Sequence, residues 1–218
     1  MTLAQTAPGQ DAMRIEQPSR LTLTLRYIRR NKGLAIGLAA AGADIAAVGR
    51  TAPEETKTEV EKLGRRFAFI EADLSSADGV DAIVTAAEAA LGQVDILVNN
   101  AGTIKRNDAL EFTEEDWDSV MDVNLKTLFF LSQAVARKMV VAGRKGKIIN
   151  IASMLSFQGG IRVASYTASK SGVSGLTKLL ANEWALKNIN VNAIAPGYIA
   201  TNNTAALRAD EKRNAEIL

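Results

Sequence analysis

The 218 residues suit one larger domain or two small ones, and 47% hydrophobic with 23% charged residues is the balance of a soluble globular protein. The absence of cysteine excludes disulfides and thiolate ligands and favours a cytoplasmic protein. Histidine is absent too, so no metal site is predicted, and any proton transfer must use Tyr, Lys, Asp, Glu or water. The net charge is only +2, so no nucleic-acid partner is predicted. No signal peptide and no long apolar run are visible, so no membrane partner is predicted.

Residues 1–20 are polar and are expected to be mobile, whereas residues 21–218 are expected to form one domain. Short apolar strands there alternate with helices. The predicted strands are 21–25, 44–48, 66–70, 95–98, 147–151 and 190–194, and the predicted helices are 33–41, 54–63, 79–91, 113–141 with a break, and 164–186. This alternation predicts an α/β fold, a doubly wound parallel sheet with helices on both faces and its ligands at the carboxyl ends of the strands.

Tyr166 and Lys170 lie four residues apart on the last predicted helix, so they stand on one face, one turn apart. A nearby ammonium favours the phenolate and lowers the pKa of a tyrosine from its ordinary value of about 10. The pair therefore predicts a general acid/base that works near neutral pH without histidine. Alone, this spacing is more often a half-buried tyrosine beside a solvated lysine, so the surrounding motifs decide the interpretation.

Three further motifs precede the pair. Ser153 follows an apolar strand, where it could hydrogen-bond a substrate oxygen or simply cap a turn. The sequence Asn-Asn-Ala-Gly at 99–102 follows another strand and could be an ordinary tight turn. Asn124, within Asp-Val-Asn, would be unremarkable on its own in a helix.

Taken together, NNAG at 99–102, Asn124 in DVN, Ser153 in NIAS and YTASK from Tyr166 to Lys170 resemble the signature of the short-chain dehydrogenases. The resemblance implies a Rossmann-like fold. It implies that Tyr166 is the general acid/base and that Lys170 supports it and holds a nicotinamide ribose. Ser153 would hydrogen-bond the same substrate oxygen, and Asn124 would support a water that connects Lys170 with solvent.

The resemblance also implies a nicotinamide cofactor that carries the hydride. The candidate cofactor contacts are Gly33, Arg50, Asp73, Asn100, Ala101, Gly102, Tyr166, Lys170, Pro196, Gly197, Ile199 and Thr201. Arg50 follows the second predicted strand, where it could accept the 2′-phosphate of NADP. The sugar-acid branch of the family mostly uses NAD, so NAD is favoured and NADP stays open.

Residues 148–162 and 195–211 are similar to one branch of the family, the 2-dehydro-3-deoxy-D-gluconate 5-dehydrogenases. This similarity implies a deoxy-ketoaldonate substrate, which would contact Ser153 and Tyr166. A sugar acid carries a carboxylate, and Arg162, Arg106 and Lys105 are the candidate cations for it. The alternative is that all three are solvated surface charges.

Two segments depart from the family pattern. Residues 26–32 have no glycine where the family has a Gly-rich turn that lets its backbone approach a pyrophosphate. The family also continues past Leu218, so an altered N-terminal turn and a missing C-terminal strand are expected. A homo-oligomer, dimer or tetramer, is expected by resemblance. The alternatives are a cofactor-free fragment or pseudoenzyme, or a dehydrogenase of another alcohol such as a 3-oxoacyl thioester.

Overall fold

The computed structural model describes the strand at 21–25 and residues 32–197. Several predictions made above lie outside the described residues. They are the mobility of residues 1–20, the glycine-free turn at 26–31, the C-terminal end at 198–218, and the contacts of Ile199 and Thr201.

Within the described residues, six strands alternate with six α-helices. The strands are β1 (Leu21–Leu25), β2 (Asp44–Gly49), β3 (Phe67–Glu71), β4 (Ile96–Asn99), β5 (Gly146–Ile151) and β6 (Ile189–Ile194). The helices are α1 (Lys32–Ala40), α2 (Glu54–Lys62), α3 (Val80–Leu91), α4 (Glu114–Met121), α5 (Thr127–Val141) and α6 (Ala164–Trp184). The five strand pairings in the described part of the chain are all parallel, and the strand order is β3-β2-β1-β4-β5-β6. The predicted parallel sheet is confirmed.

The helices cover both faces of the sheet, as predicted. Ile45 and Ala47 of β2 pack with α1 and α2, whereas Ala46 and Val48, which alternate with them, belong to the core shared with α3, α5 and α6. The fold is therefore doubly wound. None of the helices in the described part of the chain is both long and apolar enough to cross a membrane.

The strand order places a topological switch point between β1 and β4. The chain winds from β1 through β2 to β3 on one side and continues from β4 to β6 on the other. Because all strands are parallel, the loops after β2, β3, β4, β5 and β6 leave from the same edge of the sheet. Ligands of such sheets bind in the crevice at this edge.

Two asparagines fix the geometry of the sheet beneath this crevice. Asn99 of β4 and Asn150 of β5 are register partners in adjacent strands, and both are buried. Asn99 Nδ2 donates to Asn150 Oδ1 at 2.9 Å and to Ser132 Oγ of α5 at 2.8 Å. Asn150 Nδ2 donates to Thr177 Oγ1 of α6 at 3.0 Å. This asparagine ladder joins the ends of β4 and β5 to α5 and α6.

Candidate active site

Lys170 is buried at the carboxyl end of β5. Its side chain extends from α6 to donate from Nζ to the Ile151 carbonyl at 2.5 Å, and the residue is only 4% exposed. Nζ also lies 5.8 Å from the centroid of the ring of Tyr166, which is half-buried one turn earlier on the same helix. The ammonium is therefore held between the end of a strand and the phenol ring.

Burial lowers the pKa of Lys170 from 10.5 to about 8, because the charged form loses its hydration. The side chain is consequently an ammonium at neutral pH and loses its charge as the pH rises through about 8. An ammonium has three hydrogens, and the bond to Ile151 uses one of them.

Asn124 lies in a π-helical turn, Asp122–Lys126, which separates α4 from α5 and accounts for the predicted break. The side chain is fully buried. Its Oδ1 accepts from the main-chain N–H of Thr103 at 2.8 Å, and its Nδ2 donates to the Thr103 carbonyl at 2.9 Å and to Ser169 Oγ at 3.1 Å. Asn124 thus fixes the loop after β4 against α6, and its amide is engaged in doing so.

Gly102 brings the NNAG loop up to the same point. A Cβ added there would lie 3.4 Å from Asn124 Oδ1 and 3.9 Å from Lys170 Nζ. A side chain larger than a methyl group at this position would enter the space beside the ammonium. Glycine keeps that space open. Three of the four motifs, NNAG, DVN and YTASK, therefore meet around Lys170.

Ser153 begins the loop after β5 and is the N-cap of a 3₁₀ turn, Met154–Ser156. Its Oγ accepts from the Leu155 N–H at 3.2 Å, so the serine does cap a turn, while its own hydrogen stays available to a substrate oxygen. The neighbouring main chain is tied to the end of β6, because Ala152 donates to Ile194 O at 2.8 Å and Met154 donates to Pro196 O at 3.1 Å.

The three candidate cations for a carboxylate lie in two loops beside this site. Lys105 Nζ is 2.7 Å from Asp116 Oδ1, and Arg162 Nε is 3.3 Å from Asp108 Oδ1. Arg106, next to Lys105, is exposed. The Asn107 N–H donates to the Arg162 carbonyl at 3.1 Å and joins the loop after β4 to the loop before α6. Lys105 and Arg162 are therefore already paired with protein carboxylates.

The remaining candidate cofactor contacts lie along the same edge of the sheet. Arg50 directly follows β2, and its Nη1 is 3.9 Å from Oδ2 of Asp73, which follows β3. Asp73 Oδ1 also accepts from the Ser75 N–H at 2.9 Å, which is a turn contact of the kind expected of a capping residue. Gly33 lies at the start of α1. Pro196 and Gly197 follow β6.

Comparison with known proteins decides the family. Residues 32–212 match the family described as short chain dehydrogenase. The chain belongs to the short-chain dehydrogenase family. It is 63% identical over 187 residues to the 2-dehydro-3-deoxy-D-gluconate 5-dehydrogenase of Escherichia coli K12, an alignment that covers 86% of this chain and 74% of that protein. The resemblance inferred from the motifs is confirmed.

Solved structures of similar dehydrogenases have the same fold as this chain. A protein from Agrobacterium tumefaciens, provisionally named a 2-deoxy-D-gluconate 3-dehydrogenase and solved with bound NADP, is 55% identical, with a TM-score of 0.83 over 91% of this chain and 79% of that chain. A gluconate 5-dehydrogenase from Burkholderia cenocepacia, in complex with NADP and tartrate, is 37% identical, with a TM-score of 0.80 over 89% and 77% of the two chains.

The sequence did not predict every residue that shapes this dehydrogenase site. The asparagine ladder was missed, although a polar residue such as Asn150 in an otherwise apolar strand is a signal that could have pointed to it. Ser156, whose hydroxyl contacts the main chain of α6, was also missed. Nothing in the local sequence marks that contact, because its acceptor lies on another element.

Proposed function

We propose that this dehydrogenase transfers a hydride between NAD(P) and a hydroxyl or keto carbon of a deoxy-ketoaldonate. The observation that carries the proposal is the buried ammonium of Lys170, which lies beside the ring of Tyr166 and beside the open space that Gly102 leaves. The similarity to a 2-dehydro-3-deoxy-D-gluconate 5-dehydrogenase supports the substrate class.

The residues at the crevice fit a nicotinamide cofactor. Asn100 Nδ2 is buried beside the switch point and has no hydrogen-bond partner among the described residues, so it can donate to a ribose or phosphate oxygen. Lys170 has two further hydrogens for a ribose diol. The residues that would hold the cofactor are Gly33, Arg50, Asp73, Asn100, Ala101, Gly102, Tyr166, Lys170, Pro196, Gly197, Ile199 and Thr201. When bound, the cofactor supplies or accepts the hydride.

The protein's own groups handle the proton. In the reductive direction, the Tyr166 hydroxyl donates its proton to the substrate's keto oxygen, and in the oxidative direction the phenolate takes it back. The Ser153 hydroxyl donates a hydrogen bond to the same oxygen and stabilises the charge that develops there. Lys170 stabilises the phenolate. Because the Asn124 amide is engaged with Thr103 and Ser169, its main-chain carbonyl is the group we assign to a proton-conducting water.

The proposal includes both NAD and NADP as the cofactor. Arg50 is 64% exposed in its side chain at the carboxyl end of β2, where it can accept a 2′-phosphate, and a similar structure holds NADP. NAD is retained because the sugar-acid branch mostly uses it. A cytoplasmic location is also part of the proposal, and a reaction that draws on the cell's nicotinamide pool supports it.

Calorimetric titration of the purified chain with NADH and with NADPH, followed by a substrate panel, tests the proposal. We expect a Kd of roughly micromolar order for at least one cofactor and turnover of a deoxy-ketoaldonate. No binding of either cofactor would favour the cofactor-free fragment or pseudoenzyme. Cofactor binding with turnover of a 3-oxoacyl thioester, and none of the sugar acid, would favour the other alternative.

The substrate carboxylate can be assigned by replacing Lys105, Arg106 and Arg162 singly with Ala. The ion pairs of Lys105 and Arg162 are partly exposed and therefore weak, so a substrate carboxylate can displace the protein carboxylate. Loss of one charge-assisted hydrogen bond should raise the KM about tenfold to a hundredfold with little change in kcat.

Steady-state kinetics of these variants need a matched control. Lys126, which pairs with Asp122 at 3.3 Å, is a comparably exposed cation in an ion pair, and Lys126→Ala should leave the KM at the wild-type value. If all three variants behave as this control does, the three cations are solvated surface charges.

We also propose that the dehydrogenase assembles as a dimer or tetramer through the outer faces of α5 and α6. These faces expose apolar side chains, among them Phe130, Val140, Val141 and Leu179. Apolar side chains that remain exposed together on adjacent helices are typical of a surface that another chain covers. Sedimentation equilibrium gives the mass in solution, and a monomer at all concentrations would contradict this proposal.

A further inference from the structure

Ser156 is the last residue of the 3₁₀ turn that Ser153 begins. Its Oγ donates to the main-chain carbonyl of Lys170 at 2.6 Å and accepts from the main-chain N–H of Ser153 at 3.3 Å. A single hydroxyl therefore joins the backbones of the two segments that carry the proposed catalytic side chains.

Turn capping explains only half of this arrangement. In a capping box, the side chain at the third position of the turn accepts from the N-cap main chain, which accounts for the contact between Ser156 and Ser153. It does not account for the bond to Lys170, which lies 14 residues further along the chain in α6. A serine hydroxyl has one hydrogen, and here that hydrogen is directed at another element.

The bond lies next to a second link between the same two elements. Lys170 Nζ donates to the Ile151 carbonyl at the end of β5, two residues before Ser153. The exit of β5 is thus attached to α6 at two points, once through the lysine side chain and once through the Ser156 hydroxyl. The bonds from Ala152 and Met154 hold this loop to the end of β6, and the two attachment points add its separation and orientation relative to α6.

We propose that Ser156 is a positioning residue that sets the Ser153 hydroxyl against the Tyr166–Lys170 pair. The inference rests on the proposed function, because the positioning has a purpose only if these three side chains act together. It also predicts that the hydroxyl keeps water away from Lys170 by closing the loop onto α6.

The test uses Ser156→Ala and Ser156→Thr, since threonine retains the hydroxyl. Thr85→Ala is the control, because Thr85 Oγ1 also donates to a main-chain carbonyl, that of Asp81 at 2.8 Å, far from the site in α3. The first readout is the titration of Lys170 followed by NMR on protein with ¹³C-labelled lysine, with its resonance identified by its loss in Lys170→Arg. It requires neither cofactor nor turnover.

In the wild type, burial holds the pKa of Lys170 at about 8. Ser156→Ala should move this pKa upward toward 10.5, because water that enters the loosened loop solvates the ammonium. Among the residues placed around Nζ, only Tyr166 titrates, since Ile151, Gly102 and Asn124 contribute a carbonyl, a glycine and an amide. Ser156→Thr and Thr85→Ala should both keep the wild-type titration.

The second readout is steady-state kinetics. Ser156→Ala should lower kcat about tenfold with the substrate KM within about twofold, and Ser156→Thr should restore most of kcat. A wild-type Lys170 titration and kcat in Ser156→Ala would overturn the proposal, as would an equal change in Thr85→Ala. If the wild type turns over no substrate but Ser156→Ala still shifts the Lys170 titration, the proposed function is wrong, while the bridge that Ser156 forms between the backbones of Ser153 and Lys170 stands.

Should Ser156→Ala not fold, Ser156→Cys replaces it. A thiol has a similar size but donates only weakly, so the same upward shift of the Lys170 pKa is expected from it. An unshifted titration in Ser156→Cys would count against the bridge in the same way.

Discussion

Tyr166→Phe is expected to lower kcat for a deoxy-ketoaldonate by a factor of about 10³, because the variant keeps the ring and loses the one hydroxyl that can transfer the proton. Cofactor affinity should fall by no more than about tenfold, because one hydrogen bond from Tyr166 is lost while Lys170 keeps its bond to Ile151. The measurements are steady-state kinetics at pH 7 and calorimetric titration with the preferred cofactor. Retained affinity with lost turnover would separate a chemical role of the tyrosine from a structural one.

Ser153→Ala provides the comparison for this variant. The serine is assigned a hydrogen bond to the substrate oxygen and no proton transfer, so Ser153→Ala should lower kcat by a factor of about 10² or less. A Tyr166→Phe enzyme that turns over at the wild-type rate would remove the acid/base assignment, and with histidine absent the proton would have to move through Lys170, a carboxyl group or water.

Lys170→Met is expected to abolish measurable turnover and, at the same time, to stabilise the fold. The buried ammonium has its pKa lowered from 10.5 to about 8, so the folded state disfavours the charged form. Replacing it with an apolar side chain of similar length should raise the free energy of unfolding at pH 7 by about 1–3 kcal/mol, after the lost bond to the Ile151 carbonyl is allowed for.

The stability difference between Lys170→Met and the wild type should depend on pH. Between about pH 8 and pH 10.5 the unfolded chain binds more protons at Lys170 than the folded chain does, so wild-type stability rises with pH across this window. Below pH 8 the full cost of burying the charge is present, and above pH 10.5 it is gone. The advantage of Lys170→Met over the wild type should therefore shrink as the pH increases.

Denaturant unfolding at pH 7 and at pH 10.5 measures both effects. Lys178→Met is the control, because Lys178 is exposed on the same helix and its replacement should change stability little at either pH. A Lys170→Met variant that is less stable than the wild type at both values would show that the lysine supports the fold rather than straining it.

Much of the fold could be predicted because its signals are local. Most of the described strands are short, mainly apolar runs, and the helices begin or end near residues with a known preference, such as Thr113, whose side chain accepts from the Asp116 N–H at the start of α4. The boundaries moved by one or two residues. The last predicted helix, for example, ends as α6 at Trp184 and continues as a 3₁₀ turn that Asn188 stops in the left-handed conformation.

The site was predicted less completely because its connections are not local. The motifs named Asn124, Ser153, Tyr166 and Lys170, and the structure brings NNAG, DVN and YTASK around one ammonium. The pairing of Asn99 with Asn150 depends on sheet register, which no single strand specifies. The ion pairs of Lys105 and Arg162 likewise depend on which loops meet, so charge alone could not distinguish a solvated cation from one already paired.

The π-helical turn at Asp122–Lys126 makes the site sensitive to the deletion of a single residue. Removing one residue from it would leave α4 and α5 as a single regular helix, and each residue of an α-helix turns by about 100°. Asn124 would then rotate away from Thr103 and Ser169. Homologues one residue shorter in this segment should therefore have a well-formed helix and an inactive site, and a one-residue gap would mark them in an alignment.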